Sequence, residues 1–109
     1  MKKVIKDEIW VFRKALSYPN FAILNFLSSK PFASGTEVYR ELTKKFTRKT
    51  LIASLATLST LKLIEPYPVR STAGYRIGYK ISEIGKQIVE SAKEFNKKIE
   101  KEMEKTKAP

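Results

Sequence analysis

Residues 47–85 read TRKTLIASLATLSTLKLIEPYPVRSTAGYRIGYKISEIG, and this stretch decides the fold because its hydrophobic period changes twice. Its first part places leucines three or four residues apart, the period of an amphipathic helix. Its middle alternates apolar and polar residues around a Ser-Thr-Ala-Gly turn, as the two strands of a hairpin do. Its end starts a further helix near Ser82 and Glu83. We therefore expect helix, hairpin and helix in direct succession.

The first helix of this stretch, residues 47–61, has a leucine side that we expect to be buried, formed by Leu51, Leu55, Leu58 and Leu61. The opposite face is small and polar, and it consists of Lys49, Thr50, Ala53, Ser54 and Thr57. Short hydroxyl side chains permit a close approach to the major groove of DNA, which is roughly 12 Å wide. We interpret this face as a base-reading surface; the alternative is an ordinary solvent-facing side that carries little charge.

The start of this helix is unusually basic. Thr47 is a good N-cap residue, but Arg48 and Lys49 follow it in the first turn, where the helix dipole disfavours cations by a few tenths of a kcal/mol. A bound phosphate would reverse that sign, because exposed amides, dipole and side chains would all attract it. The other interpretation is two solvated side chains that cost almost nothing.

The hairpin is expected to have Ile64, Tyr67 and Val69 in its first strand and Tyr75, Ile77, Tyr79 and Ile81 along one face of its second. Pro66 and Pro68 lack amide donors on the same side, which only an edge strand tolerates. Arg76 and Lys80 oppose the apolar face of the second strand. The tip, with Arg70, Ser71, Thr72 and Arg76, suits contact with a sugar-phosphate backbone or a minor groove.

Three helices are expected before residue 47. The first spans residues 4–16, and a more apolar second spans Asn20 to Ser28 after the helix-ending Tyr18-Pro19. Ser34-Gly35-Thr36-Glu37 has the form of a capping box and starts the third. Its inner stripe is either Val38, Leu42 and Phe46 or Tyr39 and Leu42, and Lys44 and Lys45 follow near its C-terminal end.

The last helix is expected to reach about Lys105. Its apolar stripe is long for a small domain and comprises Ile84, Ile88, Ala92, Phe95, Ile99 and Met103. Glu and Lys occupy most other positions, as on the flanks of a coiled coil. We therefore predict a homodimer whose contacts include Ile88, Ala92, Phe95, Ile99 and Met103, together with Ile5, Ile9 and Phe12 of the first helix. The alternative is a helix folded back over its own domain.

Composition limits the function classes. The 109 residues carry a net charge of +11, and residues 36–80 hold nine basic and three acidic groups, so the positive field lies in the middle of the chain. The chain has no Cys and no His, which removes the usual zinc ligands and thiol or imidazole catalysis. We expect no enzyme, metal or cofactor, no membrane span and a cytoplasmic location.

A family resemblance is carried by residues 58–85. Leu58, Leu61, Leu63 and Ile64, the basic hairpin, and the run Tyr79-Lys80-Ile81-Ser82-Glu83-Ile84-Gly85 resemble the end of the winged-helix domain in PadR- and MarR-type transcription regulators. The resemblance extends from about Phe21 to Val89. It implies that Arg48, Lys49, Thr50, Ser54 and Thr57 face DNA and that Arg70 and Arg76 serve the wing. Lys62 departs from the pattern, which has glycine there.

The expected fold is mainly α with a small β-hairpin wing, a winged helix-turn-helix. We expect an N-terminal helix in residues 1–18, the winged helix-turn-helix in residues 19–83, a dimerisation helix in residues 84–105 and a disordered tail in residues 106–109. The expected function is sequence-specific binding of double-stranded DNA by a homodimeric repressor, with helix 47–61 in the major groove, wing 65–80 on the backbone or minor groove, and Lys44 and Lys45 on phosphates. The alternatives are an architectural or segregation protein that spreads along DNA and a protein-interaction module in a nucleoprotein machine.

Overall fold

Five helices and three strands form the part of the chain that this computed structural model describes, residues 8–30, 32–71 and 74–106. In chain order they are α1 (Trp10–Leu16), α2 (Tyr18–Ser28), β1 (Ala33–Ser34), α3 (Gly35–Leu42), α4 (Arg48–Thr60), β2 (Ile64–Ser71), β3 (Gly74–Ile81) and α5 (Glu83–Thr106). The predicted order of helices and hairpin is confirmed. The two-residue strand β1 was not predicted, because a strand that short exists only through its pairing with β3.

The first helix begins later than predicted. Glu8 and Ile9 form a turn and α1 starts at Trp10, where the N-cap residue Ile9 has no side-chain oxygen to offer the first amides. The predicted start at residue 4 and Ile5 lie outside the described residues. The second helix begins two residues early, at Tyr18, with Pro19 in its first turn. Buried Asn20 donates from Nδ2 to the Lys14 carbonyl at 2.9 Å and so fastens α2 to the end of α1.

The capping box at the start of α3 is confirmed. The Glu37 amide donates to the Ser34 hydroxyl at 3.2 Å, and the Glu37 carboxylate accepts from the Ser34 amide at 3.5 Å. Both predicted inner stripes contribute, since Val38 is fully buried while Tyr39, Leu42 and Phe46 pack against the core from partly buried positions. This cap fixes where α3 begins, directly after its short strand β1.

The turn after α4 is closed by a Schellman motif. The Leu63 amide donates to the Leu58 carbonyl at 3.0 Å and the Lys62 amide to the Ser59 carbonyl at 3.1 Å. Lys62, the departure from the family pattern, has φ = 63°, the left-handed conformation that glycine adopts most cheaply. The turn therefore keeps its usual geometry, and a side chain is strained to fit it.

The sheet is antiparallel, in the order β1-β3-β2. Its edge strand β2 contains Pro66 and Pro68, as their missing donors require. In the hairpin, Ile64 pairs with Ile81 and Pro66 with Tyr79, so the even-numbered residues of β2 share a face with the odd-numbered residues of β3. Tyr67 consequently lies on the opposite face from Ile64, although both were predicted as strand residues of one group.

A buried serine joins the end of α4 to the start of α5. The Ser82 amide and hydroxyl both donate to the Leu63 carbonyl at 3.0 Å, and the hydroxyl accepts from the Gly85 amide at 3.1 Å. Gly85 is packed so closely that an added Cβ would collide with the Leu63 carbonyl oxygen. The Ser82-Glu83-Ile84-Gly85 run is thus a tight joint between two helices.

The core lies between α2, α4, the sheet and the first part of α5, where Val89 is buried. From residue 93 to residue 106, by contrast, every α5 residue is exposed. The radius of gyration is 16.7 Å, against about 13 Å for a compact domain of this length. The second half of α5 therefore projects from the domain, and the alternative of a helix folded back over its own core is wrong for that half. The helix reaches Thr106, one residue into the predicted tail; residues 107–109 lie outside the described residues.

Candidate nucleic-acid interface

The start of α4 is exposed and positively charged. The Thr47 hydroxyl accepts from the Thr50 amide at 3.2 Å, which confirms Thr47 as the N-cap, and no acidic residue stands in the first turn. The Arg48 guanidinium lies over the Tyr39 ring, 4.6 Å from its centroid, so α3 holds it beside the helix start. Lys49 is exposed. Amides, dipole and two cations thus converge at one place, as an anion-binding helix start requires.

The buried side of α4 is as predicted, but one residue of its outer face is not. Leu51, Leu55 and Leu58 are buried and Leu61 packs against the core, whereas Ser54 is only 6% exposed. Ser54 follows Leu51 by three residues and precedes Leu58 by four, and helical geometry places such residues on one side. The prediction that Ser54 lies on the exposed, base-reading face is therefore wrong.

The exposed face of α4 is more apolar than the sequence interpretation held. Thr50 and Thr57 are half-buried at one margin, while the exposed residues after Lys49 are Ile52, Ala53, Ala56 and Thr60. Ile52, which is 50% exposed, was not among the predicted site residues. A helical wheel drawn from the three buried leucines would have placed Ser54 correctly.

Two lysines precede α4. Lys44 and Lys45 lie in the turn after α3, and both are exposed. Lys44 is 3.9 Å from Glu41, a surface pair too weak and too open to neutralise it. Lys45 borders a groove lined by α2 residues that include Phe21 and Phe26. The role of the two lysines as phosphate contacts stays a prediction.

The hairpin presents its two arginines on opposite faces. Arg70 pairs with Tyr75 and Arg76 with Val69, so Arg70 shares the face of Ile77 while Arg76 shares that of Lys80. Both arginine side chains are exposed. Ser71 ends β2, and Thr72 lies outside the described residues. A duplex lying against one face of the hairpin would meet one arginine directly and the other only around its edge.

A cleft lies between the hairpin and the start of α3. Tyr39, Arg76, Ile77 and Tyr79 line it together with Gly35 and Thr36. Burial, followed by the neighbouring Tyr39, raises the pKa of Tyr79 above its usual value. Tyr39 therefore touches the Arg48 guanidinium and also borders the cleft beside Arg76, which connects the basic helix start to the hairpin.

An ion pair stabilises the start of α3 near this cleft. Lys30 lies 3.3 Å from Glu37, and this bond, with the Ser34 amide, holds the pKa of the Glu37 carboxyl below its usual value. Burial raises the pKa of Tyr67, and its hydroxyl is buried with no hydrogen-bond partner among the described residues.

A second surface, on the α1 and α5 side, is apolar. Phe95 is 63% exposed, Met103 is 54% exposed, and Ile99 lies between them at 44%. Together with Phe12 and Leu16 of α1, Phe95 and Ile99 line an open groove along α5. Ile9 is also exposed, whereas Ile88 and Ala92 are half-buried. That these residues form a dimer contact stays a prediction, and Ile5 lies outside the described residues.

Comparison with known proteins identifies the architecture. No protein-family model matches the chain, and no curated protein sequence is detectably similar to it. Solved structures do match: a PadR family transcription regulator from Clostridium difficile R20291 superposes with a TM-score of 0.70 at 23% identity, covering 84% of this chain and 100% of that one. A putative MarR family regulator from Porphyromonas gingivalis W83 gives 0.66 at 19% identity, covering 88% and 94%.

The fold is a winged helix-turn-helix. It has α3 and α4 as the helix-turn-helix, the β2–β3 hairpin as the wing, and α5 as the long C-terminal helix. The predicted fold class is thereby confirmed. At Lys62, where the family pattern has glycine, the chain keeps the left-handed turn with a strained side chain. In the described part of the chain no group of three or more acidic residues is placed to hold a metal ion, and none of the helices there combines the length and apolar character that crossing a bilayer demands.

Proposed function

We propose that this winged helix-turn-helix chain binds double-stranded DNA sequence-specifically as a homodimeric transcriptional repressor, acting in the cytoplasm. The observation that carries the proposal is the exposed, basic start of α4, which Tyr39 connects to the wing. Arg48 at the start of α4 rests on Tyr39, and Tyr39 borders the cleft beside wing residue Arg76. Phosphates along one duplex edge are the ligand that such a row of cations around a helix start suits best.

Each part of the surface has a distinct role in this proposal. Helix α4 enters the major groove, and Thr50 and Thr57 at its margin are within the reach of base edges. Phosphate contacts come from the lysines before α4, from its first turn and from the wing: Lys44, Lys45, Arg48, Lys49, Arg70 and Arg76. Ser71 and Thr72 at the wing tip remain candidates for the same backbone. No cofactor takes part.

The dimer follows from the exposed apolar side of α5. A free surface that carries Phe95, Ile99 and Met103 is costly in water, and the groove beside α1 continues it. Residues 93–106 form a helical segment about 20 Å long, at about 1.5 Å per residue, in which every residue is exposed. The same helix of a second copy would bury that stripe, and the two α4 helices would then bind half-sites about 34 Å apart.

Salt dependence tests the DNA-binding part of the proposal. Binding of a random 30-base-pair duplex pool is measured between low and physiological salt, and log affinity should fall steeply with log salt. Arg48→Ala combined with Lys49→Ala should weaken binding to all sequences about tenfold or more and reduce the salt slope by about two, one for each lost phosphate contact. Lys97→Ala with Lys101→Ala, on the side of α5 away from Phe95 and Ile99, is the control that removes the same charge elsewhere.

The possible outcomes separate the three functions. Absence of binding at low salt, or a flat salt series, contradicts DNA binding and favours a protein-interaction module. A footprint of fixed length on a selected fragment supports a repressor, whereas a footprint that lengthens as protein is added indicates an architectural protein that spreads. If the double variant binds as well as the unchanged protein while the control does not, the phosphate-binding surface lies on α5.

A further inference from the structure

The solvent-facing side of α4 has an apolar centre. From Thr50 to Leu61 the chain has no charged residue, and within that stretch Ile52, Ala53 and Ala56 are exposed. In α5, by contrast, lysine or glutamate fills half of the positions. A contiguous apolar surface at the centre of a helix that is otherwise hydroxyl-rich points to a specific partner.

The charges around this surface indicate which partner. Arg48, Ile52 and Ala56 follow one another at four-residue intervals, so they form one column on the helix. Arg48 stands at the outer end of the column, and Ile52 follows about one turn, or 5.4 Å, further along. With cations at the rim and no acidic group in the helix, the column matches a polyanion whose interior offers an apolar contact.

The major groove of DNA has one such contact. Among the base edges exposed there, only thymine presents an apolar group, its C5 methyl, while the other groups are hydrogen-bond donors and acceptors. The Ile52 side chain has no hydrogen-bond donor or acceptor. Ala53 and Ala56 are small enough to let the α4 backbone approach the base edges. Hydrophobic contact is therefore the only base-reading interaction that the centre of this face can make.

We infer that Ile52, with Ala53 and Ala56 beside it, is a specificity-determining residue that recognises thymine by its C5 methyl group. The inference rests on the proposed DNA binding, and it assigns the selectivity that was predicted for Ser54 to the apolar centre of the helix instead. The half-buried Thr50 and Thr57 flank this centre and retain hydrogen bonding to neighbouring bases. The preferred site then contains thymine at a fixed position in each half.

Replacement of thymidine by deoxyuridine tests this contact directly, because it removes the methyl group and leaves base pairing unchanged. The probe is the tightest-binding 30-base-pair duplex selected from a random pool, resynthesised with deoxyuridine at one thymidine position at a time. At one or two positions in each half-site the change should weaken binding of the unchanged protein about fourfold, the value of one buried methylene-sized group.

Ile52→Ala supplies the second arm of the test. This variant should bind the thymidine and deoxyuridine duplexes with equal affinity at those positions, and it should keep the salt slope of the unchanged protein. Ile84→Ala is the matched control, since Ile84 is similarly exposed, at 51%, but lies at the start of α5. It should retain the full fourfold discrimination. Circular dichroism melting shows that both variants are folded.

Three results would overturn the inference, and they identify two different errors. If the duplex is bound with a steep salt dependence but no thymidine position responds to deoxyuridine, or if Ile52→Ala keeps the response, DNA binding stands and methyl recognition by Ile52 fails. If no duplex is selected and none binds at low salt, the proposed function fails, and Ile52 is then an exposed side chain for a protein partner.

Discussion

The two helices on either side of the wing, α4 and α5, have opposite surfaces. Helix α4 has two charged residues in 13, both basic and both in its first turn, and its leucine side is buried. Helix α5 has six lysines and six glutamates in 24 residues, and its apolar side is exposed beyond residue 93. Charge therefore marks the solvent-facing side of α5, whereas the outer side of α4 beyond its first turn carries no charged residue.

The first prediction concerns the exposed stripe of α5 and has the largest expected effect. Phe95→Glu combined with Ile99→Glu places two carboxylates in the proposed interface, where burying unpaired charge is very unfavourable. The dimer dissociation constant, measured by sedimentation equilibrium, should rise more than about a hundredfold, which corresponds to about 2.7 kcal/mol or more. The monomer fold should survive, because these side chains are exposed in the single chain.

The control for this variant carries the same change of net charge. Lys97→Gln with Lys101→Gln also removes two positive charges, from exposed positions on the other side of α5, and should leave the dimer intact. If the unchanged protein is a monomer at all concentrations, the stripe serves another partner. If the double glutamate variant still dimerises, the interface lies elsewhere, and the exposed apolar side of α5 is not what joins the two copies.

The joint between the two helices provides the second prediction. In Gly85→Ala the new Cβ would collide with the Leu63 carbonyl oxygen and lie 2.8 Å from Cγ1 of Ile81. Backbone must shift to relieve this, so the free energy of unfolding in urea should fall by about 2–3 kcal/mol, as for other overpacked sites. The orientation of α5 relative to α4 would change at the same time.

Another glycine in the same fold is the control. Gly35 stands at the start of α3, where an added Cβ would meet its neighbours only at 3.6 Å or more, an ordinary contact distance. Gly35→Ala should therefore change stability by no more than about 1 kcal/mol, and in either direction. Equal destabilisation by the two substitutions would show that the joint is looser than its packing implies.

The same elements show which features of the fold could be predicted from the sequence. The capping box at Ser34, the edge position of the two prolines and the leucine side of α4 each depend on local geometry, and all are confirmed. The strand β1 and the contact of Arg48 with Tyr39 depend on residues brought together by the fold, so no local pattern announces them. Ser54 was misplaced because residue chemistry was weighed above helical position.

The last prediction concerns the turn that ends α4 and has the smallest expected effect. Lys62 has φ = 63°, where a β-carbon costs about 1–2 kcal/mol and glycine costs little. Lys62→Gly should raise the free energy of unfolding by about 0.5–1 kcal/mol, because the relieved strain exceeds the extra entropy of glycine in the unfolded chain. Lys62→Ala removes the same charge but keeps the β-carbon, so its unfolding curve should match that of the unchanged protein. If Lys62→Ala stabilises the protein as much as Lys62→Gly does, the gain comes from removing the lysine charge. The left-handed turn would then carry no backbone strain for glycine to relieve.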